Sequence, residues 1–374
     1  MSLVFEAPIN NLSFGNVSVN LLRELYKKKI EISLFPKLGG AFPTDADLRA
    51  NLVAFDKLDE DFVTWLENSI KYKFHNVSKD KPSLHLWHLN GAERRVTPKQ
   101  YLLSFFELDQ PTFTEKKIAD LQEKVFLSNP EAVEAFNKLG CSNVEFVPMG
   151  FDNDLSVINN ASKMVEGKTH FVLMGKFEKR KHTKEIIETW IKKYGNNNKY
   201  LLSCCVVNPF LKHEQMNALL SDILDGKHYT NVNFLPHLKT NSEVNHLLNS
   251  ADIDLTGLSG AEGWNLPAFN STALGKWSLV YNHSAHKAWA NEKNSILLEP
   301  KGKERAADGL FFTEEGNFNI GNICSFDADQ VTAAMEEAET KVGQVNEEGL
   351  KLQDDFSYAK TLEIILEKME LQNA

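Results

Sequence analysis

The chain has 374 residues, 42% of them hydrophobic, and a formal net charge of −10. That length exceeds what one ordinary core encloses and implies two domains, each with ample apolar material. The acidic balance disfavours nucleic acid as a partner, and neither a signal peptide nor a run of about 18 apolar residues is present, so a cytoplasmic protein without a transmembrane segment is expected.

In chain order, residues 3–5 read as a first strand and residues 10–16 as a polar loop with one glycine, Gly15. A helix over 17–29 follows, with Leu21, Leu22, Leu25 and Tyr26 on one face, and then a strand over 31–35. This βαβ opening lacks the G-x-G-x-x-G of a dinucleotide site, which counts against a dehydrogenase. Next come a Gly-Gly turn at Gly39, a helix near 59–71, and a basic stretch through Lys71, Lys73, Lys79 and Lys81. That stretch is either solvated surface or a patch for an anionic acceptor or peripheral membrane contact. Residues 83–87 form a central strand, with His85 read as a core histidine and His88 at the carboxyl end, where ligands collect in such sheets. A strand over 101–106 leads Glu107 into a loop, either as an acceptor-side group or as an ordinary surface carboxylate. After a strand over 125–127, Asn129 caps and Pro130 opens a helix that Gly140 closes. Residues 143–148 complete the half, and the boundary falls near Gly150.

The second half opens on a buried strand, 171–174, that runs into Gly175-Lys-Phe-Glu-Lys-Arg-Lys-His182. Ile186, Ile187, Trp190, Ile191 and Tyr194 give the next helix its core face, and residues 200–207 and 232–235 are strands. Cys204 and Cys205 lie in the first of these; with Cys141 and Cys324 they read as buried free thiols. Thr240 and Glu243 have capping-box spacing. The organising stretch is 251–275: a strand over 253–256, a loop with three glycines and Glu262, and a helix with Pro267 at its first position and Gly275 past its end. Strand, loop and helix N-terminus together suit an anionic ligand, and Glu262 would face another part of it, such as sugar hydroxyls. A strand over 277–281, an acidic helix near 327–341 and a terminal helix carrying Leu362, Ile365, Leu366 and Met369 close the chain.

Glu262-Gly-Trp-Asn-Leu-Pro-Ala-Phe-Asn270 resembles the E-G-F-G-L-P-x-x-E segment of the retaining GT-B glycosyltransferases, group 1 or family 4, with Asn270 at the second glutamate. The loop 175–182 resembles their G-R-L-x-x-x-K-G, with Lys176 for the arginine, Lys181 for the lysine and His182 for the closing glycine. Val147-Pro-Met-Gly-Phe-Asp152 is similar to V-I-P-N-G-V-D, and Ile296-Leu-Leu-Glu-Pro300 to G-L-L-V-x-P. The resemblance implies an α/β GT-B fold: two Rossmann-like, doubly wound domains facing across a cleft, 1–150 for the acceptor and 151–355 for the donor, with helix 356–374 packing back on the first.

It further implies a retaining transferase that moves a sugar from a UDP or GDP sugar to a hydroxyl of a glycan, lipid-linked or other acceptor, with no cofactor and no metal. Catalytic roles fall to Glu262 at the donor sugar, Lys176 and Lys181 at the diphosphate, and His88 from the opposite domain. Donor contacts fall to Gly15, Gly175, Gly263, Trp264, Asn265, Leu266, Leu238 near the base, and Asn270 at the ribose, where an amide cannot accept both diol protons. Glu107 is the acceptor-side candidate. Two other classes remain open: a nucleotide-sugar or glycan-binding protein without turnover, and a nucleic-acid glycosyltransferase.

Overall fold

Parallel strands covered on both faces need apolar side chains throughout, and the strands of this chain are built that way. The computed structural model describes residues 2–37 and 44–371; the expected turn at Gly39 lies outside them. Strands β1 (Ser2–Pro8), β2 (Glu31–Lys37), β3 (Ser83–Leu86), β4 (Gln100–Ser104), β5 (Lys124–Leu127) and β6 (Val144–Phe146) form a parallel sheet in the order β2-β1-β3-β4-β5-β6. Strands β7 (Thr169–Met174), β8 (Tyr200–Cys205), β9 (Val232–Phe234), β10 (Ile253–Asp254), β11 (Trp277–Tyr281) and β12 (Ser295–Leu298) form a second, in the order β12-β11-β10-β7-β8-β9. Each sheet reverses direction once, between β1 and β3 in the first and between β7 and β10 in the second. A crevice opens at such a reversal because the connections leave it on opposite faces.

Local chemistry sets the helix starts. Asn129 accepts from the amides of Glu131 and Ala132, Thr240 and Glu243 form a capping box, and Asp59 caps the helix Glu60–Lys71. In the helix Thr183–Tyr194, Ile186, Ile187, Trp190 and Tyr194 are buried against β7, each side chain contributing about 1.5–3 kcal/mol.

Three expectations shift. The first helix begins at Ser13, not 17, so Gly15 lies in its first turn. Close approach requires a glycine there: a Cβ on Gly15 would fall 2.0 Å from the Asn10 carbonyl oxygen. β10 is two residues long because Thr256 already turns into a short 3₁₀ segment. Pro267 is the second residue of the helix Leu266–Ala273.

The apolar core of the first sheet extends into Trp264, Phe269 and Trp289 of the second half and into Tyr358, Leu362 and Ile365 of the terminal helix Tyr358–Lys368. An unforeseen antiparallel pair, β13 (Lys303–Arg305) and β14 (Asn322–Cys324), brackets an arm that docks on the first sheet's loops. Lys303 Nζ and the Asn322 amide both donate to Asp109, at 2.9 and 2.8 Å, and Asn319 N donates to Glu115 Oε1 at 3.0 Å.

Candidate active site

The reversal between β7 and β10 brings two loops together. The β7 loop ends in a 3₁₀ turn, Lys179–Lys181, and His182 enters the following helix in the left-handed region (φ 52°). The β10 loop ends the same way, with Asn265 at φ 68° ahead of the helix Leu266–Ala273. Both residues stand where the resembling motifs have glycine. Each holds that costly conformation by side-chain contacts: His182 Nδ1 lies 3.0 Å from the Leu258 carbonyl, and Asn265 Nδ2 donates to the Thr256 carbonyl at 3.0 Å.

The 3₁₀ turn directs Arg180 and Lys181 onto Glu262. Arg180 Nη1 is 3.0 Å from Glu262 Oε2, Lys181 Nζ pairs with Oε1, and Arg180 also reaches Glu178 and the Ala261 carbonyl. Burial by itself would raise the Glu262 carboxyl, but Arg180 and Lys181 outweigh it and hold the group well below the usual carboxylate range. Glu262 is therefore a fixed anion whose two oxygens are both engaged. Lys176 pairs with Glu178 at 2.7 Å and, at 39% side-chain exposure, is the most accessible cation of this group, whereas Arg180 is 4% exposed.

Across the cleft, β3 and β4 deliver His88 and Glu107. Burial, and then Lys176 and Lys37, push His88 down to about 4, so its imidazole is neutral at physiological pH. Glu107 lies among the charges of the opposite wall. Burial raises its carboxyl, Arg180 and Lys176 act against this, Glu262 and Glu178 act with it, and the net shift is upward. Three carboxylates, Glu107, Glu178 and Glu262, thus meet three cations, Lys176, Arg180 and Lys181. Among the described residues, Glu107 is the carboxylate of this group without an ion pair.

No protein-family model matches the chain, and no curated protein matches it in sequence. Solved structures do match in shape. A sucrose-phosphate synthase from Thermosynechococcus elongatus superposes with a TM-score of 0.67 at 12% identity, covering 99% of each chain. The Anabaena protein HepE, in complex with UDP and glucose, gives 0.63 at 10% identity over 99% of each chain. WaaG, a glycosyltransferase involved in lipopolysaccharide biosynthesis, gives 0.62 at 10% identity over 100% of each chain. The fold is GT-B.

Within this GT-B cleft the other expected site residues divide. Gly175 lies under the Lys181 stem, 3.2 Å from a would-be Cβ. Gly263 passes so close to the first domain that a Cβ would fall 2.6 Å from Phe105 Cβ, and its carbonyl accepts from Ser128 Oγ at 2.5 Å. Leu238 and Leu266 are half-buried beside their loops. Two side chains do not face the cleft. The Trp264 ring is buried against Phe269 and Phe356, leaving only its backbone for a ligand, and the Asn265 amide is tied to Thr256 and His286. Asn270 Oδ1 accepts from the Asp152 amide at 3.4 Å, in the link between the domains. Gly15 makes room for Asn10, and the neighbouring Asn11 touches His237 across the cleft at 3.1 Å.

Sequence reasoning missed Arg180 and Glu178. Their types were visible, but among Lys176, Lys179, Arg180 and Lys181 nothing local says which side chain turns inward. Among the described residues no group of three or more His, Cys, Asp or Glu side chains is placed to hold a metal ion, and no helix is long and apolar enough to cross a membrane.

Proposed function

We propose that this chain is a glycosyltransferase that moves a sugar from a UDP or GDP sugar to an acceptor hydroxyl, with retention and without a metal ion. The observation that carries the reading is the Glu262–Lys181–Arg180 cluster at the second sheet's reversal, opposed by His88 and Glu107. Proteins of the same fold support it: WaaG, a glycosyltransferase, and HepE, in complex with UDP and glucose. Lys176 is exposed enough to meet a diphosphate directly and can exchange Glu178 for it, while Lys181 and the preorganised helix N-termini stabilise the charge that grows on the leaving group. Glu262 orients the donor sugar, Asn270 the ribose, and neutral His88 lies at the reacting centre. Domain closure excludes water that would otherwise hydrolyse the donor. A cytoplasmic setting fits the four buried free thiols.

The test is thermal unfolding with UDP, GDP, ADP, CMP and their sugar conjugates, with a chelator present. A ligand at a hundred times its Kd should stabilise the protein by about 2.7 kcal/mol. No stabilisation by any of them, with or without magnesium, overturns the donor site. A second reading, a nucleotide-sugar-binding protein without turnover, is favoured by the pairing of Lys176 with Glu178 and by the engagement of Asn270 with Asp152. Glu262→Ala separates the two: an enzyme loses transfer far more than nucleotide binding.

A further inference from the structure

In β1 the buried run Leu3, Val4, Phe5 and Ala7 is interrupted by one carboxylate, Glu6. Glu6 lies in register with His85 of the adjacent β3, so the two stand side by side at the reversal of the first sheet, where a ligand crevice opens. Lys37, the last residue of β2, completes the group. Its ammonium lies 2.8 Å from His85 Nε2 and 3.3 Å from Glu6 Oε1, and that oxygen is 3.1 Å from the same ring nitrogen. Burial, and then Lys37, push His85 down to about 3, so the charges present are Glu6 and Lys37, and they cancel. His85 is 1% exposed and serves as the support, whereas the side chains of Glu6 and Lys37 are 19% and 31% exposed.

The group faces the cleft. Lys37 and Lys176, from opposite domains, both act on His88. From Lys37 a run of rings leads to the donor wall: the ammonium lies 4.1 Å from the Trp87 centroid, Trp87 is 5.8 Å from Phe14, Phe14 is 4.7 Å from His88, and His88 is 5.5 Å from Phe311 of the arm.

We propose that Glu6, Lys37 and Trp87 form the acceptor subsite and that it takes a neutral, hydroxyl-rich sugar. This deepens the transferase reading and rests on it. A carboxylate that accepts from hydroxyls, an ammonium that donates to them, and an aromatic face for the C–H side of a pyranose together match a sugar. A phosphorylated or carboxylated acceptor would need an uncompensated cation. Within the described group, Lys37 is neutralised by Glu6 and Lys176 by Glu178.

The experiment is saturation-transfer NMR on the full chain with neutral methyl glycosides and maltose, against glucose 6-phosphate and glucuronic acid. The neutral sugars should bind and the anionic ones should bind more weakly by about tenfold or more. Glu6→Gln should weaken neutral-sugar binding by about tenfold, the loss expected for one charge-assisted hydrogen bond, Trp87→Phe, which shrinks the stacking face, should weaken it by less, and both should leave stabilisation by nucleotide unchanged. Absence of neutral-sugar binding, preference for the anionic sugars, or binding indifferent to Glu6→Gln and Trp87→Phe overturns the proposal. If a variant fails to fold, the preference of the unaltered protein still decides. Loss of nucleotide stabilisation in the unaltered protein would instead sink the donor reading, so the two failures are distinguishable.

Discussion

The two sheets end in edges of opposite character. At the second sheet's reversal, Arg180, Lys181 and Glu262 are locked in a nearly buried ion lattice. At the first sheet's reversal, one compensated pair, Glu6 and Lys37, borders rings that offer shape and little charge. The difference teaches that a buried charge lattice must be complete to be tolerated, whereas an aromatic wall tolerates exchange of its members. The second edge should thus be brittle and the first adaptable.

The largest expected effect is at Glu262. Glu262→Ala removes the main partner of a buried guanidinium and should cost about 3–5 kcal/mol in urea unfolding. Transfer should fall about 10²–10³-fold, and equal losses from Glu6→Gln would break the contrast.

One buried group in each sheet, Asp254 in the second and His85 in the first, should also respond to acid in opposite directions. Burial raises Asp254 in β10 from 3.8 to about 6, so between those values the folded chain holds a proton that the unfolded chain releases. Its contribution to stability is full below 3.8 and is lost as pH rises through 6. His85 is lowered from 6.5 to about 3, so its contribution is full above 6.5 and is lost as pH falls. Each slope is at most about 1.4 kcal/mol per pH unit. Unfolding curves between pH 4 and 6 should show Asp254→Asn removing the falling component and His85→Gln the rising one. Equal slopes in the two variants would contradict the assignment.

Gly263→Ala, where the second edge touches the first domain, should cost about 1–3 kcal/mol, because a Cβ has no flexible neighbour to displace beside Phe105. Mildest is Lys176→Ala. Lys176 is half-exposed and Glu178 keeps Arg180 as a partner, so stability should change by less than about 0.5 kcal/mol, yet the nucleotide-induced rise in Tm should shrink. A large stability loss would mean that Lys176 belongs to the lattice and not to the ligand.

The same contrast explains what could be read beforehand. Asn129, Thr240 and Asp59 were legible as caps or helix starts because capping is decided within four residues. Glu262 and Lys181 were singled out by their places in the two resembling motifs, and the fold sets them side by side. Trp264 was expected among the donor contacts; an aromatic in a glycine loop can turn to a ligand or to the core, and its ring packs with Phe269, Trp289 and Phe356 in the core. His85 looked like plain core because Glu6 and Lys37 are 79 and 48 positions away in sequence, and their pairing depends on strand order.

The sequence by itself determined the alternation of buried strands and amphipathic helices and the capped helix starts, since these follow from periodicity and local hydrogen bonding. Only the tertiary structure decided that Arg180 turns inward to Glu262, that the arm between β13 and β14 docks on Asp109 and Glu115, and that Glu6, Lys37 and His85 meet. Those contacts join segments far apart in the chain, and their partners are chosen by sheet order and domain packing, which no local pattern encodes.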